Sequence, residues 1–162
     1  MSDLQDRIVA ANLRWHNRST VRKWPDAGPS PFGVEFSGGE NETEHRGAKV
    51  AMSVLVGTTD DGSPVVQLRA AVQLNDDRRY CLQDCEVRFH LSGPGVEPTD
   101  DELRTMVAGW GAEYILGYLR GALADGARSV GLAAPVLPTA AHVMSPDEID
   151  ALIATARESH DG

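Results

Sequence analysis

The chain has 162 residues, 41% of them hydrophobic and 24% charged, with a formal net charge of −9. That length buries a core without help from metal or disulfides and fits a single domain. No uninterrupted apolar run reaches about 18 residues, which excludes a transmembrane helix, and so acidic a body repels phosphate backbones, which argues against nucleic acid as a partner.

The opening Met1-Ser2-Asp3-Leu4-Gln5-Asp6 lacks the basic start and apolar stretch of a signal peptide, so a cytoplasmic location is expected. Charge is uneven: residues 1–23 carry Arg7, Arg14, Arg18, Arg22 and Lys23 against Asp3 and Asp6, and the rest of the chain is strongly acidic. The acid serves solubility or forms a face that docks a basic partner. Leu4, Ile8 and Leu13, with Ala10 and Ala11, predict a short amphipathic helix over 4–14, and the mixed Trp15–Trp24 predicts an edge strand. Pro25, Pro29 and Pro31 with Gly28 enforce a loop. Phe32, Val34 and Phe36 alternate with Gly33 and Glu35 as a short strand, and 38–47 is a polar connection.

The sheet signal is strongest next. Val50, Met52, Val54 and Val56 share one face of a strand. Asp60-Asp61-Gly62-Ser63 supplies the Asp-Gly pair that favours a hairpin. Val66, Leu68, Ala70, Val72 and Leu74 alternate with Gln67, Arg69, Ala71 and Gln73, and Asn75-Asp76-Asp77 turns again. Cys81, Cys85, Val87, Phe89 and Leu91 then oppose Asp84, Glu86, Arg88 and His90. Three period-two runs joined by short turns predict an antiparallel meander with one buried face. On one strand the two cysteines stand roughly 13 Å apart, too far for a disulfide, so both are expected in the core.

Ser92-Gly93-Pro94-Gly95 ends the sheet, and Thr99-Asp100-Asp101-Glu102 forms a capping box for a helix over about 100–109. Gly109 and Gly111 break it, and a longer helix follows from near Ala112. Leu116, Leu119, Leu123 and Ala127 make its apolar stripe, flanked by Ile115, Tyr118 and Ala122. Gly117 and Gly121 share a helix face. Each costs about 1 kcal/mol against alanine, which suits close approach of another backbone, within the domain or across a subunit interface. Pro135 and Pro138 make 131–144 an extended apolar strip, and Ser145-Pro146-Asp147-Glu148 caps a last helix with Ile149, Leu152, Ile153 and Ala156 on its apolar face. The expected fold class is α+β, a four- or five-stranded antiparallel meander with helices on one face. The single domain, 1–162, divides into an N-terminal segment (1–25), the sheet (32–93), helices (99–130), the strip (131–144) and a C-terminal helix (145–160).

Catalytic signatures are missing. The chain has neither usual phosphate-loop spacing, and its histidines (His16, His45, His90, His142 and His160) stand at no ligand spacing with the cysteines. His90 beside Glu86 and Asp84 is the best candidate for a site, and a solvated sheet face explains it better. No metal, cofactor or catalytic residue is expected.

Gly111-Ala112-Glu113-Tyr114-Ile115-Leu116-Gly117-Tyr118-Leu119-Arg120 and Gly131-Leu132-Ala133-Ala134-Pro135-Val136-Leu137-Pro138-Thr139 carry a family likeness. The second half of the chain resembles the SecB family of export chaperones. That family's long helix opens Cys-Pro-Asn-x-Leu-Phe-Pro-Tyr-Ala-Arg, and a Gly-Phe-Pro-Pro-Leu-Leu-Leu-Pro-Pro run follows. Tyr118, Arg120, Gly131, Leu137 and Pro138 match. Gly111, Ala112 and Glu113 replace the opening Cys, Pro and Asn, and Gly117 stands where proline is usual.

The resemblance implies a homotetramer, a dimer of dimers, that holds unfolded clients in apolar grooves without ATP. Trp24, Phe36, Tyr114, Tyr118, Leu132, Val136 and Leu137 are the expected client-binding positions, each with ordinary core as its rival reading. Gly117 and Gly121 are the expected oligomer interface. The implied partners are an unfolded preprotein, with the export ATPase beside it, or the antitoxin of a toxin–antitoxin pair. The tail Glu158-Ser159-His160-Asp161-Gly162 lacks the basic character expected of one that grips the ATPase. From other classes, a small-molecule-binding α+β protein or enzyme and a pure adaptor remain open.

Overall fold

A computed structural model describes residues 4–23, 47–137 and 144–160. A 3-10 turn, Leu4–Arg7, leads into β1 (Ile8–Arg22), followed by β2 (Gly47–Thr58), β3 (Pro64–Asn75) and β4 (Arg79–Leu91). Three helices come next: α1 (Asp100–Ala108), α2 (Trp110–Ser129) and α3 (Pro146–His160). The expected strand at 32–37 lies outside the described residues.

The fold is α+β: one four-stranded antiparallel sheet in the order β1-β4-β3-β2, with the helices on one side. β2, β3 and β4 form the meander that their alternation predicts. β1 returns beside β4, so β1 and β2 occupy opposite edges. Each turn has its own chemistry. Gly62 takes φ +78° in the first hairpin, a backbone state glycine enters at no steric cost, while the Asp61 carboxylate accepts from Ser63 N at 3.1 Å. In the second, Asp76 Oδ1 accepts from Arg78 N at 2.8 Å and Arg79 N at 2.9 Å.

The helix predicted over 4–14 is replaced by the 3-10 turn and the first half of β1. Local preference for helix at Ala10 and Ala11 loses to a long ladder with β4, in which Ala11 faces Phe89 and Leu13 faces Val87. Two register shifts, at Ile8/Ala10 and Trp15/Asn17, interrupt the period of two and hide the first half of the strand from a periodicity test, while its second half is the edge strand expected from Trp15 onward. The second has a consequence for packing. Leu13 and Trp15 face the helices with Val87 and Cys85, and beyond the shift Arg18 and Thr20 take that side, opposite Gln83 and Cys81.

One cluster forms the core. Val66, Leu68 and Val72 of β3 and Cys85, Val87 and Phe89 of β4 pack under Leu103 and Met106 of α1 and Ile115, Leu116, Leu119 and Leu123 of α2. Ile149, Ile153 and Ala156 of α3 close it over β2. Both cysteines are free and buried. Desolvation pushes the Cys85 thiol up to about 12, so at neutral pH it behaves as a small apolar group. Both capping boxes form: Thr99 Oγ1 accepts from Glu102 N at 3.2 Å, and Ser145 Oγ from Glu148 N at 3.3 Å. Gly109 separates α1 from α2, as expected, and α2 starts at Trp110, two residues early. At its other end Leu132 N donates to Ala127 O at 2.8 Å and Gly131 takes φ +71°, a glycine-terminated helix end.

Candidate functional site

α2 has two faces set by its period. Ile115, Leu116, Leu119, Ala122, Leu123 and Ala127 are buried against the sheet. On the opposite face Tyr114, Gly117, Tyr118 and Gly121 follow one another at three- and four-residue steps, all exposed. The tyrosines are not loose. Phe89 of β4 meets Trp110 edge-on at 5.4 Å and Tyr114 at 5.7 Å, and Tyr114 meets Tyr118 at 5.4 Å with an interplanar angle of 73°. Each contact has the edge-to-face geometry that aromatic quadrupoles favour. The two hydroxyls lie 3.3 Å apart, and the bond to Tyr118 is the main reason the Tyr114 phenol stands above its ordinary range. An aromatic ladder thus climbs from the core to the surface, leaving Tyr114 42% and Tyr118 38% exposed.

The structure brings Tyr114, Tyr118, Gly117 and Gly121 together on this one stripe. A Cβ built on Gly117 or Gly121 would meet nothing within 4 Å among the described residues, so neither glycine serves close packing against them. Arg120 forms an ion pair at 2.9 Å with Glu113. Leu132 and Val136 lie elsewhere, on the strip that leaves the far end of α2, where Arg79 Nη1 donates to Ala133 O at 2.5 Å. On that strip Val136 is 92% exposed and Leu137 turns into the core at 8%. Trp24 and Phe36 lie outside the described residues.

The open face of the sheet holds a polar network that sequence reasoning missed. Glu86, expected on a solvated face, is 3% exposed. His16 Nε2 lies 2.8 Å from its Oε2, Gln67 Nε2 donates to the same oxygen at 3.1 Å, and Arg88 Nη2 stands 3.2 Å from Oε1. Nearby, Arg69 Nε and Nη2 donate to the two oxygens of Asp84 at 2.9 and 2.7 Å. His90 sits at the rim, 3.1 Å from the Asn12 amide, with no titratable partner among the described residues.

The Arg69 fork holds the Asp84 carboxyl below its ordinary range. A depressed carboxylate adds stability above its unfolded pKa, and that stability is lost as pH falls through the lower folded value. Arg69→Met should therefore lower stability modestly at neutral pH, as far as an exposed ion pair allows, with the difference from the parent closing as pH falls through the folded Asp84 value. Circular dichroism across an acid titration checks this.

Among the described residues no cluster of three or more metal-ligating side chains occurs, and no helix is long and apolar enough to cross a membrane. No protein-family model matches the chain, and no curated protein matches it. Among solved structures, one that it is similar to is the Mycobacterium tuberculosis Rv1957 SecB-like chaperone in complex with a ChAD peptide from the Rv1956 HigA1 antitoxin. The match covers 88% of this chain and 91% of that one, at 16% sequence identity and a TM-score of 0.49. A likeness at this level is one of chain path and assigns no activity.

Proposed function

We propose that the protein is an ATP-independent holdase that binds extended or unfolded polypeptide along the aromatic stripe of α2, and that it is not an enzyme. The observation that carries this is the pair Tyr114 and Tyr118, anchored to the core through Phe89 and exposed on the helix that resembles the SecB family. A pre-ordered ring loses little side-chain entropy on binding. An apolar client residue laid on it gains about 25 cal/mol per Å² without sequence specificity. Val136 and Leu132 on the strip would extend the apolar surface to a second patch. Leu137 belongs to the core instead, so a charge there would unfold the protein before it told anything of clients.

Gly117 and Gly121 share the stripe, so a second copy and a client compete for it. In this reading the glycines admit a helix of a neighbouring subunit in a tetramer, and the tyrosines border that crossing. Size and activity measured together separate the roles. Tyr114→Ser with Tyr118→Ser should weaken client binding roughly tenfold, the loss of about 1–2 kcal/mol of ring contact. Suppression of client aggregation without nucleotide checks it, with oligomer mass by light scattering. Lost suppression at unchanged mass places the client on the tyrosines. Lost mass makes the stripe an interface. Full suppression by the double variant sinks the reading.

One observation favours a dedicated client over general export. Gly111 replaces the family's cysteine, and a Cβ there would stand 2.6 Å from Met106 Cγ and 3.0 Å from both Leu68 Cδ1 and Met106 O. α1 has closed over the position, so the family residue no longer fits. The start of the long helix is built differently here, which supports a divergent chaperone reserved for one client, such as an antitoxin.

A further inference from the structure

β1 and α2 cross at Gly126, and beside the crossing they leave a cleft of about 360 Å³. Arg18 and Thr20 of β1 form one wall, Asp125 and Ser129 of α2 the other, and Gln83 of β4 lines the interior. Gln83 is anomalous. It occupies the core row of β4 between Cys81 and Cys85, where it is 2% exposed. Its Nε2 donates to Ser19 O at 3.0 Å and to Thr20 Oγ1 at 3.2 Å. A carbonyl oxygen accepts and never donates, so the amide nitrogen must face Ser19 and the orientation of the amide is fixed. Its Oε1 is left buried without a partner among the described residues. Such an atom costs about 1–3 kcal/mol, which leucine in the same row would avoid.

We propose that this cleft, on opening enough to uncover the buried Gln83 Oε1, binds a neutral carboxamide whose N–H donates to that atom. Electrostatics select the class. A carboxylate would set its oxygens against Gln83 Oε1 and the Asp125 carboxylate. An ammonium or guanidinium would meet Arg18, which already stands 3.9 Å from Asp125 and stacks on Trp15 at 4.8 Å. A carboxamide offers donors to Gln83 and Asp125 and its own carbonyl to Arg18, so each wall finds its complement. The group comes from an asparagine or glutamine side chain of a polypeptide or from a free small amide. β1 is an edge strand, and a chain paired along it would carry alternate side chains in line with Arg18 and Thr20, beneath α2. This site does not depend on the holdase reading.

The test is NMR titration of the full chain with capped single residues: N-acetyl-glutamine, N-acetyl-glutamate and N-acetyl-lysine methylamides. Saturable shifts of the Gln83 side-chain amide and the Gly126 backbone amide are expected with the glutamine probe, with binding of the other two weaker by about tenfold or more. Gln83→Leu should abolish the response. Because it also removes the bonds to Ser19 and Thr20, Ser129→Trp, which covers the mouth and leaves Gln83 in place, should abolish it too at an unchanged melting temperature. An extended peptide with one central glutamine that binds more tightly than the capped residue assigns the site to a polypeptide; equal binding assigns it to a free amide. An equal response to all three probes, no saturable response to glutamine, or binding that survives both variants overturns the proposal. So does a water alone on Gln83 Oε1 in crystals soaked with the probe.

Discussion

Gly126→Ala should lower stability by about 2 kcal/mol, while Gly117→Ala and Gly121→Ala, on the same helix, should each raise it by up to about 1 kcal/mol. The chemistry of the three changes is identical, and their surroundings set the sign. At Gly117 and Gly121 an added methyl meets nothing within 4 Å among the described residues, so it contributes the helix preference of alanine and no contact with them. At Gly126 it would fall inside contact distance of Thr20 Oγ1 and 3.0 Å from Thr20 Cβ. Thr20 cannot simply rotate away, since its hydroxyl receives Gln83 Nε2 at 3.2 Å. About 3 kcal/mol of overpacking therefore outweighs about 1 kcal/mol of helix preference. Urea melts at low protein concentration measure all three. Thr20→Ala should restore most of the loss in the Gly126→Ala background, because it deletes the atom in conflict.

The same series addresses assembly. If Gly121 admits a neighbouring helix, Gly121→Leu leaves the single chain folded and reduces the particle to a smaller species. An oligomer that keeps its mass with Gly121→Leu removes this glycine from the interface. Stability and mass thus move in opposite directions at one residue, a pattern that core packing within the chain does not produce.

What was legible in the sequence, and what was not, divides along physical lines. The alternation of Val66, Leu68, Ala70 and Val72, and of Cys81, Cys85, Val87 and Phe89, lies on unbroken ladders, so period two and burial coincide. Both capping boxes and the break at Gly109 are local chemistry and appear where the residues place them. The second half of β1 was legible as the edge strand expected from Trp15 onward, but its first half was hidden because the register shifts reverse its faces midway: Leu13 and Trp15 share a side with Arg18 and Thr20, and no single period contains that set.

On the extended strip, neighbours point in different directions. Val136 and Leu137 are equivalent as apolar residues, and chain path alone sends one to solvent and the other to the core. Pattern also fails where polar side chains bury one another. Gln83 interrupts an apolar row, a visible irregularity that could have been followed. Glu86 sits in a normal polar row and becomes buried through the reach of His16, Gln67 and Arg88, which depends on β1 lying beside β4.

Arg88→Met should destabilise the fold by about 1–3 kcal/mol, and Glu86→Gln by less than about 1 kcal/mol, although both break the same pair. The asymmetry follows from which charge is buried. The Glu86 side chain is 4% exposed and that of Arg88 is 49%. Without the carboxylate, the arginine keeps the bond from its Nε to Gln67 Oε1 at 3.0 Å and the rest of its guanidinium stays in water. The carboxylate has no such recourse. Its Oε2 keeps His16 and Gln67, but its Oε1 has no hydrogen bond among the described residues, and the Arg88 guanidinium stands 3.2 Å from it. At an effective dielectric of about 20 the gross attraction at that separation is roughly 5 kcal/mol. Solvent around the exposed guanidinium removes much of that, which leaves the smaller net figure. A neutral amide at the same position carries no charge needing compensation and still offers an acceptor to Gln67. A double-mutant cycle by urea denaturation isolates the coupling: in the Glu86→Gln background Arg88→Met should cost only its exposed bond to Gln67, less than about 1 kcal/mol. An Arg88→Met cost below about 0.5 kcal/mol with Glu86 intact would class the pair with ordinary surface ion pairs. His16 and Gln67 alone would then be sufficient to hold a buried carboxylate on the open face of the sheet.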